Sequence, residues 1–210
     1  MRLLALSLAF VALAGCQSAY YSAMEEMGFE KRDILVDRVE EARDSQEEAQ
    51  EQFASALEQY SALINFDGGE LQSVYEDLND EYEASADAAE EVTDRVDAIE
   101  DVAEALFDEW RDELEEYSSS SLRRDSERKL KDTRRRYDKL IAAMRRAEKR
   151  MAPVLDALQD NVLYLKHNLN ASAIGALQGE LNGIESDVSR LIDEMNRAIA
   201  ESNDFIASMK

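Results

Sequence analysis

Residues 85–110 read SADAAEEVTDRVDAIEDVAEALFDEW, and this stretch decides the fold. Ser85, Ala89, Val92, Val96, Ile99, Ala103, Leu106 and Trp110 recur at steps of four and three, while nearly every other position is charged or polar. That spacing is the seam of a helix that packs on other helices. The beat runs back through Tyr82, Leu78, Tyr75 and Leu71 and forward to Tyr117, which predicts a helix over about 70–117.

The same beat governs the flanks. Leu35, Val39, Ala42, Gln46, Ala49, Phe53, Ala56, Tyr60 and Leu63 predict a helix over about 30–64, with Gln46 as a polar member able to fix register. Asn65-Phe66-Asp67-Gly68-Gly69 supplies stop residues after it. Beyond Tyr117 the phase slips at Ser118–Ser121, which reads as a turn or as a stutter in a continuous helix. Apolar residues resume at Leu122, Leu130, Tyr137, Leu140, Met144, Ala147 and Met151 and continue through Val154, Leu158, Val162, Leu165 and Leu169, predicting a helix over about 122–168. Pro153 inside it removes a backbone bond and predicts a bend. A second slip at His167–Asn170 precedes Leu177, Leu181, Ile184, Val188, Leu191, Met195, Ile199 and Ile206, a helix over about 171–209. With one proline, seven glycines and 45% hydrophobic residues, the expectation is all-α: an elongated antiparallel helical bundle or coiled coil of about four long helices.

Charge is unevenly distributed. The chain carries −23, yet residues 20–117 hold 33 acidic against 6 basic residues, residues 122–151 hold 5 against 13, and residues 152–210 hold 9 against 4. Such blocks form solvated faces or partner one another, and the basic third segment is expected to lie along the acidic second and pair with it across their flanks. Net negative charge argues against nucleic-acid binding through phosphates.

Residues 1–15 have the form of a secretory leader: Arg2, an apolar run from Leu3 to Leu13, then small residues. Leu13-Ala14-Gly15-Cys16 resembles the bacterial lipoprotein signal, in which small residues admit the peptidase and the cysteine thiol carries diacylglycerol. The resemblance implies that Cys16 becomes a lipidated N-terminus with an acylated, palmitate-type amine, followed by a tether over 16–29 and the bundle over 30–210. Tyr20 and Tyr21 in the tether fit a membrane interface or the start of packing. Gln17, where inner-membrane lipoproteins of enteric type carry aspartate, implies transfer to the outer membrane, facing the periplasm. The only cysteine leaves no internal disulfide to expect.

No catalytic, cofactor or metal set assembles from the remaining residues. His167 is the only histidine and reads as a turn or packing residue. Acidic pairs such as Glu40-Glu41, Glu90-Glu91 and Glu115-Glu116 lack the loop of a calcium site. No Gly-Lys-Ser/Thr loop is present to cradle phosphate. Gly175, Gly179 and Gly183 form a small-residue stripe that reads as a tight crossing within the bundle, with a self-association face as the other reading. Lys210 is the last residue of the sequence, and helical lipoproteins joined to the cell wall resemble this chain in ending on lysine, which makes Lys210 a candidate for peptidoglycan attachment.

Gly28-Phe29-Glu30-Lys31-Arg32-Asp33, Leu106-Phe107-Asp108-Glu109-Trp110 and Leu165-Lys166-His167-Asn168-Leu169-Asn170-Ala171 are similar to phrases in a family of uncharacterised, coiled-coil-rich bacterial lipoproteins. The likeness spans most of the chain after Cys16 and carries no functional residues with it. The expected function is a membrane-anchored envelope lipoprotein with a structural or protein-interaction role and an envelope protein or peptidoglycan as partner. Two other readings stand beside it: an acidic module for cationic proteins or peptides, and, from the enzyme class, a hydrolase using paired carboxylates.

Overall fold

The computed structural model describes residues 30–64, 71–169 and 171–210. Four helices follow one another: α1 (Lys31–Ile64), α2 (Leu71–Glu116), α3 (Ser120–His167) and α4 (Ala171–Met209). No strand occurs among the described residues. The protein is an all-α helical bundle. Its longest helix has 48 residues and spans about 70 Å at 1.5 Å per residue. The leader, Cys16, Gln17, the tether with its tyrosines, the expected turn after α1 and Asn170 lie outside the described residues.

Contacts between helices show their directions. Between α1 and α2, Lys31 meets Glu109, Glu41 meets Arg95 and Gln52 meets Glu81, so one number falls as the other rises. Between α2 and α3, Trp110 meets Ser126, Glu100 meets Arg145 and Tyr82 meets Gln159. α4 closes the ring: Glu194 meets Arg146 of α3, while Asn203 and Lys210 meet Arg43 and Glu40 of α1. Each helix thus runs antiparallel to both of its neighbours, in the cyclic order α1, α2, α3, α4. The end where the chain enters α1 also holds the α2–α3 turn and the end of α4, and is called the entry end below.

The seam residues are the core. All nine seam positions of α1 are buried, Gln46 among them. Each fully buried large side chain contributes about 1.5–3 kcal/mol relative to exposure, so a seam on every helix is what holds the ring shut. α4 departs from expectation near its end. Its buried positions there are Met195, Ala198, Ser202, Phe205, Ile206 and Met209, so Ile206 is in the core as expected while Ile199 is only half-buried.

The first phase slip is a true turn. α2 stops at Glu116, and α3 begins at Ser120, two residues before Leu122. Ser119 caps α3, with Oγ accepting from the Leu122 amide at 3.5 Å; such caps contribute about 0.5–2 kcal/mol. At the other end, the Asn168 amide donates to the Leu165 carbonyl at 3.0 Å, and Lys166 and His167 complement the helix dipole. α3 runs unbroken through Pro153, which is exposed.

Three apolar residues expected in the seams lie outside them. Leu169, beyond the end of α3, is 38% exposed, Tyr117 41% and Leu122 59%. Lys31 already sits beside Glu109, so the α2–α3 hairpin that carries Tyr117 and Leu122 continues past the start of α1 and, among the described residues, has no third helix to pack against. The glycine stripe is a second correction. A Cβ added at Gly175, Gly179 or Gly183 would meet nothing within 4 Å, because Leu177, Ile184 and Val188 turn inward and leave the glycines outside.

Candidate interaction surface

Once the seam of α2 faces the core, the heptad phase decides where its acids go. Glu83, Asp87, Glu90, Asp94, Asp97, Asp101, Glu104 and Asp108 follow one another at steps of four and three on its outer side, every one exposed. They form an acidic ridge, and Glu76, Asp80 and Glu115 prolong it in the same phase. Over its whole length α2 carries 19 acidic and 2 basic residues.

α3 repeats the pattern with opposite sign. Arg124, Arg128, Lys131 and Arg135 follow the same steps, all exposed, and after Asp138 and Ala142 the line resumes at Arg145 and Lys149. One contact shows that the two ridges share a side of the bundle. Arg145 donates to Asp97 at 2.5 Å, and each of these belongs to its ridge.

Arg145 is also where the expected pairing between α2 and α3 is concentrated. Its guanidinium reaches Asp97, Glu100 and Glu148, and the Glu100 hydrogen bond leads the effects that raise its pKa. The other cations of the α3 ridge are satisfied locally or stand alone. Arg128 pairs with Asp125, Lys131 with Glu127 and Arg135 with Asp132, all on their own helix. Arg124 and Lys149 have no ion-pair partner among the described residues. Lys129 and Lys131, through their hydrogen bonds, hold the Asp125 and Glu127 carboxyls below the usual carboxylate range. The flank-to-flank pairing expected along the whole length is therefore corrected to a single hub, because an acid one helical turn away is closer than one on the next helix. Beneath the ridges, Arg134 lies 5.0 Å over the Phe107 ring, which meets Tyr137 edge-on at 5.4 Å.

A family model described as a protein of unknown function (DUF2959) matches residues 20–209. The chain belongs to this family. The matched span takes in all four helices and both ridges and begins after Cys16. No curated protein and no solved structure matches the chain.

The other candidate residues fall in different places. Lys210 is exposed at the entry end, its ammonium 3.3 Å from Glu40. With Arg32, Lys129 and Arg136 it rims a cleft of about 410 Å³, floored by Trp110 and Met209. His167 is exposed at the far end. Among the described residues no group of three or more His, Cys, Asp or Glu side chains is arranged to hold a metal ion.

The core also holds a polar knot that the seam reading missed. The Tyr60 hydroxyl shares its proton between Asn161 Oδ1 at 3.0 Å and the Leu177 carbonyl at 2.9 Å, and Asn161 Nδ2 donates to the Ala157 carbonyl. This ties α1, α3 and α4 at the far end. Asn161 could have been found from sequence, since it stands on the four-three beat between Leu158 and Leu165.

Proposed function

We infer that this protein is an envelope lipoprotein, attached through Cys16 to the outer membrane, whose periplasmic bundle serves a structural or protein-interaction role. The observation that carries the reading is Leu13-Ala14-Gly15-Cys16 at the end of an apolar leader. Two further points support it. No helix among the described residues is long and apolar enough to cross a membrane, and a lipid on Cys16 would attach the bundle without one. The chain also enters α1 at one end of a rod about 70 Å long, and a tether there holds the rod by its tip. Several acyl chains give lasting attachment, at about 0.8 kcal/mol per buried CH₂. Gln17 supports the outer membrane over the inner.

Globomycin, which blocks the lipoprotein peptidase, tests the anchor. The treated cell should accumulate a slower-migrating precursor, and mass spectrometry of untreated protein should find an acylated Cys16. Unchanged migration, together with a soluble fraction free of membrane, would sink the reading.

The acidic ridge of α2 favours a second reading beside this one. A continuous line of exposed carboxylates at helical spacing suits a cationic helix or extended basic peptide lying along the bundle.

A further inference from the structure

We propose that the cationic partner of the α2 ridge is the α3 ridge of a second copy, the two copies packing side by side and parallel through their α2–α3 faces. This deepens the interaction reading above and rests on it; it does not need the anchor.

Three observations carry the proposal. The ridges lie on one side of the bundle, as the Arg145–Asp97 contact shows. They lie at the same height: Trp110 is level with Ser126 and Glu100 with Arg145, so the basic half of α3 runs beside the C-terminal half of α2. Most of their charges find no counter-ion across the helix boundary. Asp94, Asp101 and Glu104 on α2, like Arg124 and Lys149 on α3, have no ion-pair partner among the described residues.

Symmetry then selects the arrangement. A face with an acidic ridge on one edge and a basic ridge on the other can meet its own copy in two ways. A two-fold axis across the helices sets acid on acid. An axis parallel to the helices sets each acidic ridge on the partner's basic ridge and leaves heights unchanged, so equal levels meet. Each exposed pair is weak, and the two-fold doubles their number. Each ridge is broken once by the wrong sign, at Arg111 and at Asp138, and these pair within their own helices with Asp108 and Arg134. The parallel arrangement also brings both α1 starts to one end, so two tethers can reach a single membrane, where shared attachment raises effective concentration.

Long-range repulsion between two chains of charge −23 opposes association when the screening length is near 30 Å, at about 0.01 M salt, and is largely removed near 8 Å, at about 0.15 M. At about 1 M the ridge pairs themselves are screened. Association should therefore peak at intermediate salt.

A charge swap tests the proposal. One variant carries Arg124→Glu, Arg128→Glu, Arg135→Glu and Lys149→Glu; the other carries Asp94→Lys, Asp101→Lys, Glu104→Lys and Glu115→Lys. Four reversals of two charges each take −23 to −31 and −15, so both variants stay net negative and bulk attraction cannot join them. The full chain in density-matched detergent is followed by sedimentation, with circular dichroism reporting the fold. Wild type at about 0.15 M salt should sediment at twice the monomer mass, each variant alone as monomer, and an equal mixture as a restored dimer. A monomeric wild type, a dimer indifferent to either reversal, or a mixture that stays monomeric would overturn the proposal. If the wild-type monomer nonetheless binds a polylysine peptide and the α2 variant does not, the wider interaction reading survives while this one falls.

Discussion

Tyr60 and Gln46 stand two heptads apart on the same seam of α1, both fully buried and both polar, yet the bundle treats them differently. Around Tyr60, α3 and α4 supply Asn161 and the Leu177 carbonyl, and the hydroxyl is bonded. Around Gln46 neither amide atom has a partner among the described residues. The seam position is the same, so the helix itself does not decide whether a polar group is tolerated. What decides is whether the facing helices bring a donor or acceptor to that level. An unbonded buried polar group costs about 1–3 kcal/mol, whereas a bonded one contributes about 1 kcal/mol net.

Truncating the bonded member should have the largest effect. Tyr60→Ala removes a ring from the core and strands Asn161, and we expect a loss of about 3–5 kcal/mol in urea unfolding, as for other large aromatic deletions. A loss below about 1 kcal/mol would mean that the knot does not hold the far end together.

The opposite sign is expected next. Gln46→Leu replaces an unbonded amide with an apolar group of similar size and should stabilise the bundle by about 1–3 kcal/mol, read as a rise in Tm. If Gln46 fixes register, the gain in stability comes with a loss of uniqueness, visible as broadened amide signals in NMR. A fall in Tm would show that the amide is satisfied in solution and would erase the contrast with Tyr60.

These two residues also show how far the sequence reaches. Gln46 and Tyr60 are both readable as seam positions, and every such position on α1 is buried, because a four-three beat on an amphipathic helix has one way to face a core. The partner of Tyr60 is harder to see, since no pattern on α1 says which residue of α3 lies level with it. Tyr117 and Leu122 keep the apolar character of a seam but project from a hairpin that outruns α1. Periodicity reports which side a residue is on, and says nothing of where the neighbouring helix stops. Gly175, Gly179 and Gly183 mislead for a related reason: small side chains mark close approach only on the face that the larger residues bury, and on α4 that face belongs to Leu177 and Ile184. The charged ridges were present as composition. Their shared side and level needed the contacts of Arg145 and Trp110.

Tyr137 gives the smallest effect and the sharpest control on the comparison. Like Tyr60 it is a buried phenol, but its hydroxyl makes no hydrogen bond among the described residues, and the ring packs edge-on against Phe107. Deleting that hydroxyl should therefore change stability at pH 7 by less than about 0.5 kcal/mol. The difference emerges in alkali. Burial, reinforced by the Glu100 carboxylate, pushes the Tyr137 phenol up to about 12, whereas an unfolded tyrosine ionises near 10. A group whose pKa is raised on folding lends stability that is complete below the unfolded value and is lost as pH climbs through the folded one. Between pH about 10 and 12 the wild type should lose stability that Tyr137→Phe keeps, so their Tm curves, superposed at neutral pH, should diverge in favour of the variant. Tyr60, also shifted upward by burial, continues to titrate in both proteins, so the divergence isolates Tyr137. Curves that stay parallel through that window would mean that its phenol ionises as readily in the bundle as in the unfolded chain, so that burial does not raise its pKa.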